Sequence, residues 1–133
     1  MPNAGYATAQ QCLLAAYSGD MNFPTIVGTL IAAGFEGYEI DFRQNSAVYF
    51  LASGACVRLA LPHASGPVSA RFDGETIVAA IRAAQTNAPG YSYLGFCSQV
   101  TAAGCAGYMV SFLGKRVVYF GRTAEVHVEH FPQ

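Results

Sequence analysis

The chain is short of charge. Only 11% of its 133 residues are Asp, Glu, Lys or Arg, whereas 53% are hydrophobic, and an average soluble domain has about 25% charged residues. The net charge is −1, so the basic field that holds nucleic-acid phosphates is missing and we expect no nucleic-acid partner. Because so little polar surface is available to a monomer, we expect a homo-oligomer, a dimer, that buries apolar surface between its subunits.

Long apolar runs and targeting signals are also missing. No stretch reaches the ~18 apolar residues that a membrane span needs. The start, MPNAGYATAQQ, does not place a positive charge before an apolar run as a signal peptide does. We therefore expect a cytoplasmic protein with no membrane partner.

Cysteine pairs of the C-x-x-C type do not occur among the four cysteines, Cys12, Cys56, Cys97 and Cys105. Thiols in the cytoplasm stay reduced, and apolar neighbours are typical of buried structural cysteines. We predict structural thiols, no metal site and no cofactor. A reactive or ligating thiol is the alternative.

One motif occurs twice. AAGFEGYEIDF at residues 32–42 returns as AAGCAGYMVSF at residues 102–112, seventy positions later. Nine positions match at this spacing without a gap. They are Ala32, Ala33, Gly34, Gly37, Tyr38, Phe42, Val48, Tyr49 and Phe50, each with the residue seventy further on. A fixed period of this kind predicts two copies of one structural unit.

Beyond Phe50 the constant spacing would align Val57 with His127, an apolar residue with a polar one. Since a one-residue change of register reverses every side chain in a strand, we predict a one-residue deletion at residues 122–125. Val57 would then correspond to Val126.

The sequence pattern of each unit predicts two helices followed by three strands. Asn22, Asp73 and Ser92 precede apolar residues at helical spacing and are the predicted N-caps. Gly34 and Gly104 fall where a helix ends in a left-handed residue. Alternating apolar and polar residues then predict strands joined by short turns.

The predicted fold is therefore α+β: a two-layer α/β sandwich of two ααβββ pseudo-repeats. Its six-stranded sheet is mainly antiparallel, with the helices on one face. The whole chain, residues 1–133, forms a single domain. The pseudo-repeats are residues 7–61 and 74–131, joined by a Pro-, Gly- and Ser-rich linker at 62–73.

Two stretches carry a family resemblance. AAGFEGYEIDF, together with the closing run GKRVVYFGRTAEVHVEHFP, resembles the YdfO-like family of small uncharacterised bacterial and prophage-encoded proteins. The resemblance covers roughly residues 8–132. It implies a two-layer α/β sandwich, and some members carry the label "phage envelope protein", which implies a virion role. It implies no catalytic residues.

The most chemically suggestive stretch is EVHVEHF at residues 125–131. In a strand, Glu125, His127 and Glu129 would share one face. A histidine between two carboxylates suits a general base or a metal ligand. The alternative is a solvated outer face of a terminal strand, whose charges discourage edge pairing.

A second polar face is expected on the first strand of the first unit. Glu39, Asp41 and Arg43 alternate with apolar residues, and Arg58 is expected to point the same way from a neighbouring strand. We interpret these residues as cross-strand charge pairs. The alternative is a ligand site, with Asp41 the best candidate for a binding or catalytic carboxylate.

The matching strand of the second unit is less polar, because Met109 and Leu113 stand where the first unit has Glu39 and Arg43. We predict that these two apolar residues bind a second copy of the chain. The sequence thus favours a non-enzymatic binding or interaction module. Two alternatives stay open: an enzyme or metal-dependent protein using His127 with Glu125 or Glu129, and small-molecule binding between sheet and helices.

Overall fold

The computed structural model describes residues 5–132, which form four helices and six strands. In chain order these are α1 (Tyr6–Ser18), α2 (Phe23–Ala32), β1 (Phe35–Asp41), β2 (Ser46–Leu51), β3 (Cys56–Ala60), α3 (Gly74–Gln85), α4 (Tyr93–Ala102), β4 (Cys105–Ser111), β5 (Arg116–Gly121) and β6 (Val126–His130). The strands form one antiparallel sheet in the order β3-β2-β1-β4-β5-β6. The predicted α+β class is confirmed.

The helices cover one face of this sheet. In β1, Tyr38 and Ile40 are buried, while Glu39 and Asp41, which alternate with them, are only half-buried. In β4, Tyr108 and Val110 are buried while Met109 is exposed. This alternation leaves the opposite face without a covering layer in the described part of the chain. None of the described helices has the length and apolar character needed to cross a bilayer.

Helix ends follow the predicted chemistry. The side chains of Asn22, Asp73 and Ser92 each accept a hydrogen bond from a backbone N–H in the first turn of the following helix. Gly34 and Gly104 have φ angles of +94° and +95°, the left-handed conformation that only glycine adopts at little cost. Both predictions are confirmed.

Strands β1 and β4 pair around a local two-fold axis. Glu39 lies opposite Met109, Gly37 opposite Ser111, and Asp41 opposite Gly107. Because Ser111 and Gly107 are the residues seventy positions after Asp41 and Gly37, this register is symmetrical about Glu39 and Met109. The corresponding elements of the two halves, from α2 and α4 onward, also have equal lengths. Superposition of residues 21–61 on 91–130 stays a prediction.

The second glycine of each motif copy lies at this junction. A Cβ on Gly37 would lie 2.5 Å from the carbonyl oxygen of Val110. One on Gly107 would collide with the carbonyl oxygen of Ile40 and lie 2.7 Å from the Phe120 ring. Glycine is therefore needed at both positions for β1 and β4 to come together.

The predicted deletion in the second unit is wrong. Tyr49 pairs with Val57, and Tyr119, its counterpart, pairs with His127. The seventy-residue spacing therefore continues through β6, and the counterpart of Val57 is His127. The prediction failed because it assumed that an apolar strand face must match an apolar one, whereas here the two units differ in chemistry at identical positions.

Candidate functional site

Strand β6 directs His127 and Glu129 toward the helices. Their first-unit counterparts, Val57 and Leu59, are buried under α1, which packs on β3. In β6, Val126 and Val128 instead point to the uncovered face, where Val126 is 57% exposed. The expectation of a solvated outer face carrying His127 and Glu129 is therefore wrong, because the register follows the repeat rather than hydrophobicity.

Glu129 lies at the centre of a polar cluster. Its Oε1 accepts a hydrogen bond from Nη1 of Arg82 at 2.6 Å, and its Oε2 is 2.7 Å from Nε2 of His127. The side chain of Glu129 is only 14% exposed, that of His127 28% and that of Arg82 53%. Arg82 reaches the cluster from α3, where it also donates to the side chain of Gln85.

The two partners determine the ionisation of Glu129. Partial burial raises the pKa of its carboxyl group, but hydrogen bonds from Arg82 and His127, together with the charges of these groups, outweigh that effect. The pKa of Glu129 is therefore lowered from its ordinary value of 4.5. An ionised carboxylate has no proton to donate, so at neutral pH the proton in the contact belongs to His127 Nε2.

A shallow open groove of about 540 Å³ lies beside this cluster, between the start of α3 and the start of β6. We call it the His127 groove. Its lining residues are Phe72, Gly74, Glu75, Val78, Val126 and His127. Glu75, Val78 and Arg82 recur at helical spacing along the side of α3 that faces β6. Groups of three His, Cys, Asp or Glu side chains that could hold a metal ion do not occur among residues 5–132.

Glu125 and Asp41 are engaged elsewhere. Glu125 precedes β6, and its carboxylate accepts a hydrogen bond from the Thr123 hydroxyl at 2.7 Å. Asp41 closes the β1–β2 turn, since its carboxylate accepts from the backbone N–H groups of Arg43 and Gln44 and from the Gln44 amide. Its counterpart Ser111 accepts from the Gly114 N–H in the equivalent turn. This pairing indicates that both side chains stabilise turns.

The expected cross-strand charge pairs among Glu39, Asp41, Arg43 and Arg58 are not formed in the described part of the chain. Arg58 donates to the side-chain oxygen of Gln44 at 3.0 Å rather than to a carboxylate. Arg43 lies in the β1–β2 turn, not in a strand. Glu39 faces Val48 on one side and Met109 on the other.

Most of the second half of the uncovered sheet face is apolar, with the exposed pair Arg116 and His130 at one end of it. Five residues of β4, β5 and β6 form what we call the outer patch: Met109, Val118, Phe120, Val126 and Val128. Strand register places Met109, Val118 and Val128 in one row and Phe120 beside Val126 in another. Leu113 lies in the exposed β4–β5 turn, outside the sheet itself.

Tyrosines fill much of the space between sheet and helices. Tyr38 and Tyr49 are in ring contact at 5.2 Å, and their counterparts Tyr108 and Tyr119 at 5.3 Å. The hydroxyl groups of Tyr93 and Tyr108 share a hydrogen bond. Small-molecule binding between the layers stays a prediction.

The buried cysteines have the character of structural thiols. Burial raises the pKa of both Cys97 and Cys105 to about 11, which keeps them protonated at neutral pH. Cys12 is also buried, and burial raises its pKa as well. Cys56 is exposed at the start of β3.

Arg82, Val118 and Phe120 were not identified from the sequence. The signal for Val118 and Phe120 was available, because they alternate with the buried Val117 and Tyr119. Arg82 carried no local signal, since its partner Glu129 lies 47 residues away.

Comparison with known protein families finds no family model that matches the chain. Comparison with curated proteins finds no similar sequence.

Proposed function

We propose that the chain is a small non-enzymatic interaction module that associates with a second copy of itself through the outer patch. The supporting observation is the difference between the two halves of one sheet face. Arg58 and Glu39 occupy the first half, while their counterparts, Val128 and Met109, are apolar and exposed in the second. Nothing in the local fold demands this difference, because both halves use the same strand register.

A second copy fits the patch better than a charged partner. An isologous contact places the same surface of both subunits together, so the outer patch of one copy covers the outer patch of the other. Glu39, Asp41 and Arg58 then remain in water. Sheets that pack face to face bury rows of such side chains.

The size of the patch predicts a weak dimer. Three strands at about 4.8 Å spacing and five residues at about 3.3 Å give a flat area of about 14 Å by about 16 Å. Standard interfaces bury about 800 Å² per partner, and smaller ones are typically transient. The contact must therefore extend to the rim, where Leu113 is the nearest exposed apolar side chain.

Sedimentation velocity from about 10 µM to about 1 mM tests this proposal. The wild-type chain is expected to shift from monomer to dimer over this range. Val128→Arg inserts an arginine at the position in β6 that Arg58 occupies in β3. Because β3 accepts arginine there, the variant should fold. Met109→Lys puts a cation opposite Glu39, a favourable cross-strand pair. Both variants should stay monomeric.

Leu14→Glu is the matched control, because Leu14 is an exposed apolar residue of α1, in the helix layer. It should dimerise like the wild type. A wild-type chain that stays monomeric throughout, or equal dimerisation by all variants, would refute the proposal.

Acid–base catalysis by His127 is the second candidate, and the Glu129–His127 contact is the observation that favours it. A carboxylate on Nε2 orients the ring and leaves Nδ1 to accept a proton. Long-range ¹⁵N–¹H NMR of the imidazole should show the Nε2–H tautomer at neutral pH. Glu129→Gln should weaken that preference. An Nδ1–H tautomer in the wild type would count against this role.

A cytoplasmic location, the absence of nucleic-acid and membrane partners, and membership of the YdfO-like family belong to the same proposal. The buried Cys12, Cys97 and Cys105 are free thiols, as expected in a reducing compartment. Expression of a tagged full chain in bacteria, followed by fractionation, tests the location. Recovery from the membrane fraction or the periplasm would contradict it.

A further inference from the structure

The His127 groove has a mainly apolar lining that includes two polar residues. Phe72, Val78 and Val126 are its apolar side chains, and Glu75 and His127 are its polar ones. The groove is open, and its volume of about 540 Å³ leaves room for a small organic ligand. The sandwich does not require polar residues here, because the counterparts of His127 and Glu129 in β3 are the buried Val57 and Leu59.

Glu75 and His127 each have a polar atom that is available to bind a ligand. The Glu75 carboxylate is exposed, and no hydrogen bond or ion pair joins it to another side chain of residues 5–132. His127 uses Nε2 for Glu129, and no described contact uses Nδ1. In the tautomer with the proton on Nε2, Nδ1 offers a lone pair. The groove thus presents one carboxylate, on Glu75, and one ring nitrogen of His127 that no described contact uses.

The nearby cation, Arg82, does not make the groove suitable for an anion. Arg82 is 2.6 Å from Glu129, so each neutralises the other, and its guanidinium also donates to Gln85. An anionic ligand would meet the Glu75 carboxylate and the Nδ1 lone pair, both repulsive. A ligand with N–H donors and a positive charge would satisfy both groups.

From this arrangement we infer that the His127 groove binds a small organic cation: a primary ammonium group on an aromatic or alkyl body. The ammonium group lies between the Glu75 carboxylate and Nδ1 of His127, and the apolar body rests on Phe72 and Val78. The site is separate from the dimer contact except at Val126, which borders both surfaces.

Titration of the full chain with 2-phenylethylamine, followed by ¹H–¹⁵N NMR, tests this inference. Saturable shifts are expected in residues 72–78 and 126–127, with a dissociation constant of about 1 mM, as suits a small ligand in an open groove. Two ligands with the same body serve as comparisons. 3-Phenylpropionate should not bind, and 2-phenylethanol should bind more weakly than the amine.

Two variants locate the charge and the acceptor. Glu75→Gln should weaken amine binding about fivefold, the effect of losing one exposed ion pair worth about 1 kcal/mol. His127→Val, which inserts the residue of the first unit, should also weaken it. Glu39→Gln removes a carboxylate from the opposite sheet face and should leave binding unchanged.

Equal binding of amine and carboxylate would overturn the inference, as would shifts scattered over the surface. Unchanged affinity in Glu75→Gln would do the same. Because Glu75 is exposed on α3, that variant should fold even if His127→Val does not. A monomeric wild-type chain would leave this result untouched, so failure of the dimer is distinguishable from failure of the groove.

Discussion

Gly34 and Gly104 have the same backbone conformation, but different atoms surround them. Both end a helix at positive φ. Around Gly34 an added Cβ would meet only the Leu51 side chain, at 3.9 Å. At Gly104 it would lie 2.6 Å from the Arg71 carbonyl carbon and 2.8 Å from the Phe72 Cα, because the linker crosses there and Asp73 donates its N–H to the Ala103 carbonyl.

Alanine substitutions at the two glycines therefore separate the cost of backbone strain from the cost of a steric clash. Gly34→Ala should lower the free energy of unfolding by about 1 kcal/mol, the cost of a left-handed residue with a Cβ. Gly104→Ala should cost about 3 kcal/mol or more, since linker backbone must also move. Urea unfolding of both variants measures the difference. Equal losses would mean that the linker does not pack against Gly104.

At the scale of elements, α3 and β6 are joined through Glu129. The pKa of its carboxyl group is lowered in the folded chain, so its contribution to stability is fully present above the unfolded value of about 4.5. That contribution is lost as the pH falls through the lowered folded value. We expect it to be about 0.5–1 kcal/mol, because Arg82 is half exposed.

Comparison with Glu129→Gln measures this contribution. At pH 7 the variant should unfold at lower urea concentration than the wild type. The difference should shrink progressively below pH 4.5 and disappear once Glu129 is protonated in both states. Arg58→Gln, which removes a hydrogen bond on the edge strand of the first unit, is the control and should show no such pH dependence. A constant gap between wild type and Glu129→Gln from pH 7 to pH 3 would contradict the assignment.

Element boundaries and caps were predictable because their causes are local. Asn22, Ser92 and Gly34 act on backbone groups within a few residues of themselves. The orientation of β6 was not predictable by hydrophobic matching. Such matching places Val126 toward the helices and His127 toward solvent, whereas the structure has the reverse. Only the constant spacing of the repeat contained that information.

At the scale of the whole molecule, the sandwich and the antiparallel sheet followed from the order of patterns along the chain. The polar cluster did not, because Arg82 and Glu129 meet only after α3 packs beside β6. The outer patch was partly predicted: Met109 belongs to it, while Leu113 lies in the turn. An experimental structure in which residues 21–61 and 91–130 fail to superpose would contradict the repeat.

The two-fold junction of β1 and β4 has the geometry of a contact between identical subunits, here held within one polypeptide. Covalent attachment raises the effective concentration of one unit near the other, so the junction forms without depending on protein concentration. It also removes a constraint. Identical subunits must carry every feature in duplicate, whereas tethered units can diverge. One molecule can thus carry the outer patch and the His127 groove on the second unit, while the first unit has Glu39 and Arg58 on the same sheet face and the buried Val57 and Leu59 at the positions of His127 and Glu129.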